Sequence, residues 1–290
     1  MGRYILVDGL NLAYRCYHAI PHLSRSDGLP TNALHGWVRS LWKVSDVYGP
    51  AETIVVFDAG EDQERLQLLP EYKQQRQEMS DNLVRQLPYL SESATMMGFA
   101  TLDRPGTEAD DLIATLARSL SREGHDVFIL SADKDLAQCV DSRVRLLLPV
   151  PVARSKTGFI ELDAEGVEEK FGVGPECVAD LLALVGDTSD NIPGLPGVGP
   201  KTAAKWLREF GDVEGVISNA GQLTPRRFSA VVEREAENLR RNLRLTRLHT
   251  DITLPAIMSA GPDTHALEGL LSSMEMDGIL ADARKRYANG

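Results

Sequence analysis

No run of about 18 apolar residues occurs in the 290-residue chain, so no segment is expected to cross a bilayer as a helix. A secretory leader is missing too: Asp8, Asn11 and Arg15 interrupt the apolar core such a leader needs. Leu6 stands where a myristoylation signal needs Ser or Thr. Nothing addresses the chain to a membrane or organelle, so the cytosol is the expected compartment. Cysteine is scarce: Cys16, Cys139 and Cys177 are widely spaced with no CxxC pair. That argues against a zinc site or a disulfide framework and for three reduced thiols in or near the core. An excess of positive charge is also lacking. The net charge is −11, unusual for a chain that binds nucleic acid.

That charge is distributed unevenly. Nine carboxylates in short clusters account for most of it. Residues 201–250 run the other way, with ten Lys or Arg against six Asp or Glu. A solvated helix face is the ordinary explanation of such a stretch.

The first half alternates short β-branched runs with longer helical patterns. Apolar strands are expected at residues 4–7, 53–57, 126–130 and 144–148, with helices over 32–47 and 109–120. This order predicts an α/β fold with a mostly parallel central sheet flanked by helices. Residues 61–88 are polar and lack a strand pattern, so they are expected to leave the sheet as a mobile helical excursion. From about residue 162 the pattern is nearly all helical. Pro and Gly crowd into residues 191–200, a tight turn between helices. The expected division is an α/β core over 1–164, with the excursion at about 61–95, and a helical part over 165–290.

Ligands of open parallel sheets bind beyond the carboxyl ends of the strands. Here that rim is acidic. Asp8 follows the first strand, Asp58 the second, and Asp133 and Asp135 the third. One Asp after a strand is commonly a helix cap or turn residue. Three successive strand ends are harder to dismiss. Thr107-Glu108-Ala109-Asp110-Asp111 opens the next helix. Thr107 suits an N-cap with Asp110 completing a capping-box pattern, which accounts for one or two of the acids. Glu108 and Asp111 share a face at i, i+3, and Asp110 points elsewhere unless the first turn is distorted. Asp187 and Asp190 repeat the i, i+3 spacing in a turn.

If these nine groups converge, their repulsion raises each other's pKa unless cations neutralise them. An oxygen-only donor set suits Mg²⁺, with Mn²⁺ as a substitute. Two such ions can stabilise the attacking and leaving oxygens of a phosphodiester displacement. The six histidines fall outside every cluster and receive no catalytic role.

Gly194-Leu195-Pro196-Gly197-Val198-Gly199-Pro200-Lys201-Thr202 forms a second constellation. Its glycines let backbone N–H groups approach a phosphate, Pro200 opens the next helix, and Lys201 and Lys205 add charge. The expected result is a sequence-independent, salt-sensitive grip on a nucleic-acid backbone. An ordinary helix corner is the plainer reading. In the excursion, Lys73 and Arg76 at i, i+3 would share a helix face. Residues 61–85 hold six acids against four bases, so composition alone favours a solvated face.

Seven stretches together resemble the bacterial 5′–3′ exonuclease and flap endonuclease family, including the 5′-nuclease domain of DNA polymerase I. They are VDGLNLAYR (7–15), GLPTNALHG (28–36), VVFDA (55–59), PEYKQQR (70–76), GTEADDLIATLA (106–117), SADKDLAQ (131–138) and LVGDTSDNIPGLPGVGPKTAAKWLREFG (184–211). Their order matches the family over roughly residues 3–255. The resemblance implies a PIN-like core with a helical arch at the excursion, and a helix–three-turn–helix over about 184–211 that holds duplex DNA and binds K⁺. It implies metal ligation by Asp8, Asp58, Glu108, Asp110, Asp111, Asp133, Asp135, Asp187 and Asp190. One ion is expected mainly on the first-strand carboxylates and the Glu-x-Asp-Asp segment, the other mainly on Asp133, Asp135, Asp187 and Asp190. Lys73, Arg76, Tyr72 and Arg15 match positions at or near the scissile phosphate. Gly197, Gly199, Lys201, Thr202 and Lys205 fall in the DNA-gripping turn.

The implied activity is a structure-specific 5′ nuclease, exonuclease and flap endonuclease, leaving 5′-phosphate and 3′-hydroxyl. Its implied substrates are DNA flaps, nicks, free 5′ ends and RNA–DNA primers, in replication primer removal and repair, with the chain acting as a monomer. A branched-DNA binding module without catalysis is the alternative, and a metal ribonuclease on a similar sheet a second one. The acidic arch departs from a strand-threading device, and Gly290 ends the chain without a polymerase module, so a stand-alone enzyme and an excised domain both stay open.

Overall fold

The computed structural model describes residues 2–49 and 51–288. The first part runs β1 (Arg3–Asp8), α1 (Gly9–Ala19), α2 (Asn32–Tyr48), β2 (Glu52–Val56), α3 (Gln63–Leu68), α4 (Asp81–Val84), α5 (Leu87–Met96), β3 (Ala100–Leu102), α6 (Ala109–Arg122) and β4 (Asp126–Leu130). It continues with β5 (Val144–Pro149), β6 (Phe159–Leu162), α7 (Ala164–Phe171), α8 (Val178–Val185), β7 (Gly186–Asp187) and β8 (Ile192–Pro193). The chain closes with α9 (Pro200–Phe210), α10 (Val213–Ser218), α11 (Ser229–Thr246), α12 (Thr264–Ser273) and α13 (Asp277–Tyr287).

The six-stranded sheet has the order β3-β2-β1-β4-β5-β6. All its pairings are parallel except β5 with β6, so the expected mostly parallel sheet is present. The four expected strands and both expected helices appear within a residue or two of their predicted bounds. β3 and β6 were not expected. They are three and four residues long, and so short a run carries too few apolar positions to register as a strand.

Alternation along the central strands divides the core. Leu6, Ile54, Ile129 and Leu146 face α6 and α8. Ile5, Val7, Val55 and Leu147 face the opposite layer, with Trp37 and Leu41 of α2. Both faces are buried, as a parallel sheet requires. The first cluster runs unbroken into the helical part through Val167, Leu181 and Trp206. α12 and α13 return to the other face: Leu267, Leu271 and Ile279 join Trp37 and Leu90.

The excursion differs from its expectation. α5, within the predicted arch, buries Leu90 and Ala94 in the second core cluster. Only α3 and α4 are helical before it. Leu69 and Tyr72 are buried against Ile192 and Leu245, so this segment is pinned to the body of the protein. Its few apolar side chains suffice because they insert into one pocket, which composition does not reveal.

Candidate metal centre and nucleic-acid interface

Because β2, β1 and β4 are neighbours in one parallel sheet, the residues that follow them emerge side by side. Asp8 ends β1, Asp58 lies just past β2, and Asp133 and Asp135 lie just past β4. Asp8 is buried. Its Oδ2 accepts a hydrogen bond from the Ser131 hydroxyl at 2.7 Å and its Oδ1 caps α1 by accepting from the Asn11 N–H at 3.1 Å. The cap reading of this Asp is therefore correct, and it does not exclude a second role. Asn11 also accepts from the Ala132 N–H at 3.0 Å, tying the start of α1 to the loop after β4.

At the head of α6 the residue in the cap position is Glu108, not Thr107. Glu108 makes no cap bond itself. The Ala109 N–H donates instead to Oδ1 of Asp58 at 3.0 Å, so a carboxylate from the neighbouring strand caps this helix from outside. Three acids then point in two directions. Asp110 turns toward Asp8, Asp58 and Asp133. Its burial, and then those three charges, push its carboxyl well above the usual range. Asp8 is pushed up to about 7 by burial, with Asp58 and Asp133 adding to the shift against its two hydrogen bonds.

Glu108 and Asp111 turn the other way, as their shared face predicted. Both meet Arg65 of α3, which is 2% exposed. Its Nη1 donates to Asp111 Oδ2 at 2.6 Å and Glu108 Oε2 at 2.9 Å, and its Nη2 to Asp111 Oδ1 at 2.9 Å. The guanidinium also reaches the carbonyls of Leu245 and Arg247, both at 3.3 Å. Asp111 is thus bonded to a cation rather than turned into the acid cluster, and it further accepts from the His249 N–H at 2.8 Å.

A second acidic group adjoins the first. Asp135, Asp187 and Asp190 can place one oxygen each within 4.8 Å of one another. Asp135 is pushed well above its usual pKa by burial and by Asp133, Asp187 and Asp190, so Asp133 belongs to both groups. Its Oδ1 is buried without any hydrogen-bond partner. A buried carboxylate oxygen without a donor is costly. A cation-shaped deficit is what the all-oxygen set around it supplies. Asp187 behaves oppositely. Burial raises its pKa, but bonds from Lys134 at 2.8 Å and from Ser189 outweigh that and leave it below the usual range.

The excursion's cations close over these acids. Lys73 has φ 59°, in the left-handed region, and lies in a turn with Arg76 rather than on a helix face. Its Nζ sits 2.7 Å from Glu108 Oε1. Arg76 reaches Asp190 Oδ1 at 2.6 Å. The buried Tyr72 hydroxyl donates to Asp190 at 3.1 Å and lies 3.3 Å from Glu108. Its phenol is held well above its usual pKa by burial and by those two carboxylates. Arg15 lies part-way along α1, with no carboxylate within salt-bridge distance among the described residues.

The glycine-rich turn joins α8 to α9 as expected. Gly194 has no room for a side chain: a Cβ there would collide with the Val185 carbonyl oxygen. Gly197 has φ +77°, which favours glycine. Gly199 has neither constraint, since a Cβ would meet nothing within 4 Å. It precedes Pro200 at the start of α9, where Lys201 and Lys205 are exposed and Thr202 is half-buried.

Two sequence-family matches tile most of the chain: the 5′-3′ exonuclease N-terminal resolvase-like domain over residues 3–172, and the 5′-3′ exonuclease C-terminal SAM fold over residues 173–265. The chain belongs to the 5′–3′ exonuclease family. A 5′-3′ exonuclease of Aquifex aeolicus is 38% identical over 99% of this chain and 97% of its own length. The thermostable DNA polymerase I of Thermus thermophilus is 38% identical over 96% of this chain, which spans only 33% of that polymerase. Among solved structures, the T5 5′-exonuclease with bound divalent zinc aligns at TM-score 0.69 and 25% identity, covering 98% of each chain. The catalytic core of Rad2 in complex with DNA shares the fold at TM-score 0.61 and 18% identity.

Within this exonuclease fold, sequence reasoning missed Arg65, Lys134, Ser131 and Asn11. Lys134 and Ser131 lie inside the acidic SADKD segment, and Asn11 sits three residues after Asp8, where a capped N–H is expected. Arg65 gives no comparable signal. It is one of four bases in an excursion with six acids, and only the tertiary structure buries it.

Proposed function

We propose that the chain is a divalent-metal-dependent 5′ nuclease that hydrolyses DNA phosphodiesters at flaps, nicks and free 5′ ends. The observation that carries this reading is the meeting of carboxylates from three neighbouring strand ends, α6 and the 187–190 turn, with a buried Asp135 oxygen lacking a partner. Asp8, Asp58, Asp110 and Asp133 would hold one ion, and Asp133, Asp135, Asp187 and Asp190 the other. Glu108 borders both sets, and Asp111 serves as the counter-ion of Arg65. Mg²⁺ is the ion this hard, all-oxygen donor set suits, with Mn²⁺ as a substitute. When bound, such ions offset the clustered negative charge, activate water and stabilise charge on the reacting phosphate oxygens.

The chain's own residues supply the rest. Lys73 and Arg76 are cations already facing the acids, placed to pair with a phosphate that enters between them. Tyr72, kept protonated, donates a hydrogen bond and does not act as a base. Arg15, on the helix that follows the first strand, would add a further cation. Farther off, Gly197, Gly199, Lys201, Thr202 and Lys205 would grip the duplex backbone. The open space over Gly199 supports a close approach there by something outside the chain. A K⁺ ion on the carbonyls of that turn belongs to the same reading.

In this scheme residues 1–164 carry the chemistry and 165–290 mainly grip DNA, although α12 and α13 pack on the core. The chain would act as a monomer in the cytosol on replication primers and repair intermediates. No helix among the described residues is long and apolar enough to cross a membrane. The test is cleavage of a labelled 5′-flap duplex with Mg²⁺ and with EDTA. Asp133→Asn is expected to abolish cutting while binding persists; equal cutting by the variant rejects the assignment. Binding without any cutting by the unaltered chain favours a non-catalytic DNA-binding module.

A further inference from the structure

Four exposed arginines surround an open cavity of about 420 Å³ on the side of α6: Arg118, Arg122, Arg244 and Arg247. Arg118 and Arg122 share one helix face at i, i+4, and Arg244 and Arg247 come from the end of α11. A second cavity of about 330 Å³ adjoins it, sharing Arg118 and Arg247. In a chain of net charge −11 this concentration of guanidinium groups is out of keeping. Its local neutralisation is incomplete. Arg244 pairs with Glu64 at 2.9 Å, and Arg247 has Asp180 only at 3.6 Å. Arg118 bonds the Thr250 hydroxyl, and neither it nor Arg122 has a carboxylate within 4.0 Å among the described residues.

The cavity lies beside the Arg65 anchor, and the N–H of His249 on its wall bonds Asp111. Glu64, on its wall, precedes Arg65, whose guanidinium bonds Asp111, Glu108 and the Arg247 carbonyl. From Asp111 near the head of α6, Arg118 and Arg122 lie seven and eleven residues along the same helix face, about 10.5 and 16.5 Å at 1.5 Å per residue. A row of forked cations leading away from a phosphodiester site matches the repeating anion of a nucleic-acid strand.

We propose that this arginine-lined groove is a track for the phosphate backbone of the single-stranded 5′ tail beyond the cut. The proposal rests on the nuclease reading above and extends it. A strand passing the acidic excursion meets few free cations there, and the groove supplies them immediately afterwards. Its ligand chemistry is a flexible polyanion: four guanidinium groups against two carboxylates, Glu64 and Asp251, leave the cavity wall net positive.

The experiment compares affinity for 5′-flap duplexes with tails of about 2 and about 20 nucleotides, in Mg²⁺, in an Asp133→Asn background that does not cut. The long tail is expected to bind more tightly. Arg118→Gln with Arg122→Gln should remove most of that advantage. Each lost single-strand phosphate contact lowers the salt slope by about 0.7, so the pair loses about 1.4, or roughly 20-fold in affinity near 0.1 M salt. The Arg118→Lys, Arg122→Lys pair should keep most of the advantage, which separates lost charge from disturbed folding. Equal tail dependence in the Gln pair at an unchanged thermal midpoint overturns the track and leaves the arginines to an acidic protein partner. Loss of the advantage in the Lys pair as well overturns it too. Cleavage of the short-tailed flap by the unaltered chain tests the nuclease reading separately. If that chain cuts neither flap, both proposals fall.

Discussion

Arg65→Met is the perturbation that tests how the excursion is fastened. Arg65 is 2% exposed and Asp111 1%, and they share two hydrogen bonds at 2.6 and 2.9 Å. Replacing the guanidinium with an apolar chain of similar length leaves Asp111 charged, buried and paired only with the His249 N–H. Breaking a buried pair by removing one partner costs about 3–5 kcal/mol, because the remaining charge keeps its desolvation penalty. For a chain of this size that corresponds to a fall of roughly 10 °C in thermal midpoint, at about 2–4 °C per kcal/mol. The neutral double variant Arg65→Met, Asp111→Leu removes both charges and should recover much of the loss, since apolar replacement of a whole buried pair is often neutral. The assay is a double-mutant cycle by denaturant unfolding, with coupling of at least about 2 kcal/mol expected between neighbours in one network. A cost below about 1 kcal/mol for Arg65→Met, or strictly additive single and double variants, would refute the account of Arg65 as the anchor of α3 on α6.

The remaining predictions concern the acids and the DNA grip. Asp110→Asn should sharply weaken Mg²⁺ or Mn²⁺ binding by calorimetry, whereas Asp111→Asn should change it far less while lowering stability; the reverse order contradicts the division of these neighbours. Asp8, at about 7, and Asp110 and Asp135, pushed well up, have folded-state pKa values above those of unfolded carboxyls. Their contribution to stability is therefore present at low pH and lost as pH rises, through about 7 in the case of Asp8. In EDTA the thermal midpoint should fall between about pH 5 and 8, and millimolar Mg²⁺ should reverse the fall; a midpoint rising with pH in EDTA contradicts it. Lys201→Gln with Lys205→Gln should reduce the salt slope of duplex binding by about 1.8, at about 0.9 per contact, with stability unchanged. Gly199→Ala should fold normally and bind DNA less well, while Gly194→Ala should lose stability against the Val185 carbonyl, both read by thermal melts and filter binding.

Much of the fold was legible because burial on both sheet faces leaves unbroken apolar runs. The strands at 3–8, 52–56, 126–130 and 144–149 each carry one. The acids that follow three of them could be assigned to one rim, since parallel strands end on the same side. β3 and β6 were missed because three or four residues hold no periodicity. The packing of the excursion was not legible because Leu69 and Tyr72 are isolated apolar residues in a polar stretch, and isolated residues do not reveal the neighbours they are buried against.

The sequence by itself determined which groups could meet: secondary structure is local, and adjacency of parallel strand ends follows from alternating strands and helices. Only the tertiary structure decided how neighbouring acids were divided. Asp110 faces three carboxylates while Asp111 faces Arg65, from a helix more than forty residues away. One residue on a helix turns a side chain by about 100°, so adjacent positions enter different environments. Which cation waits in the second environment depends on long-range packing, and no local pattern encodes it.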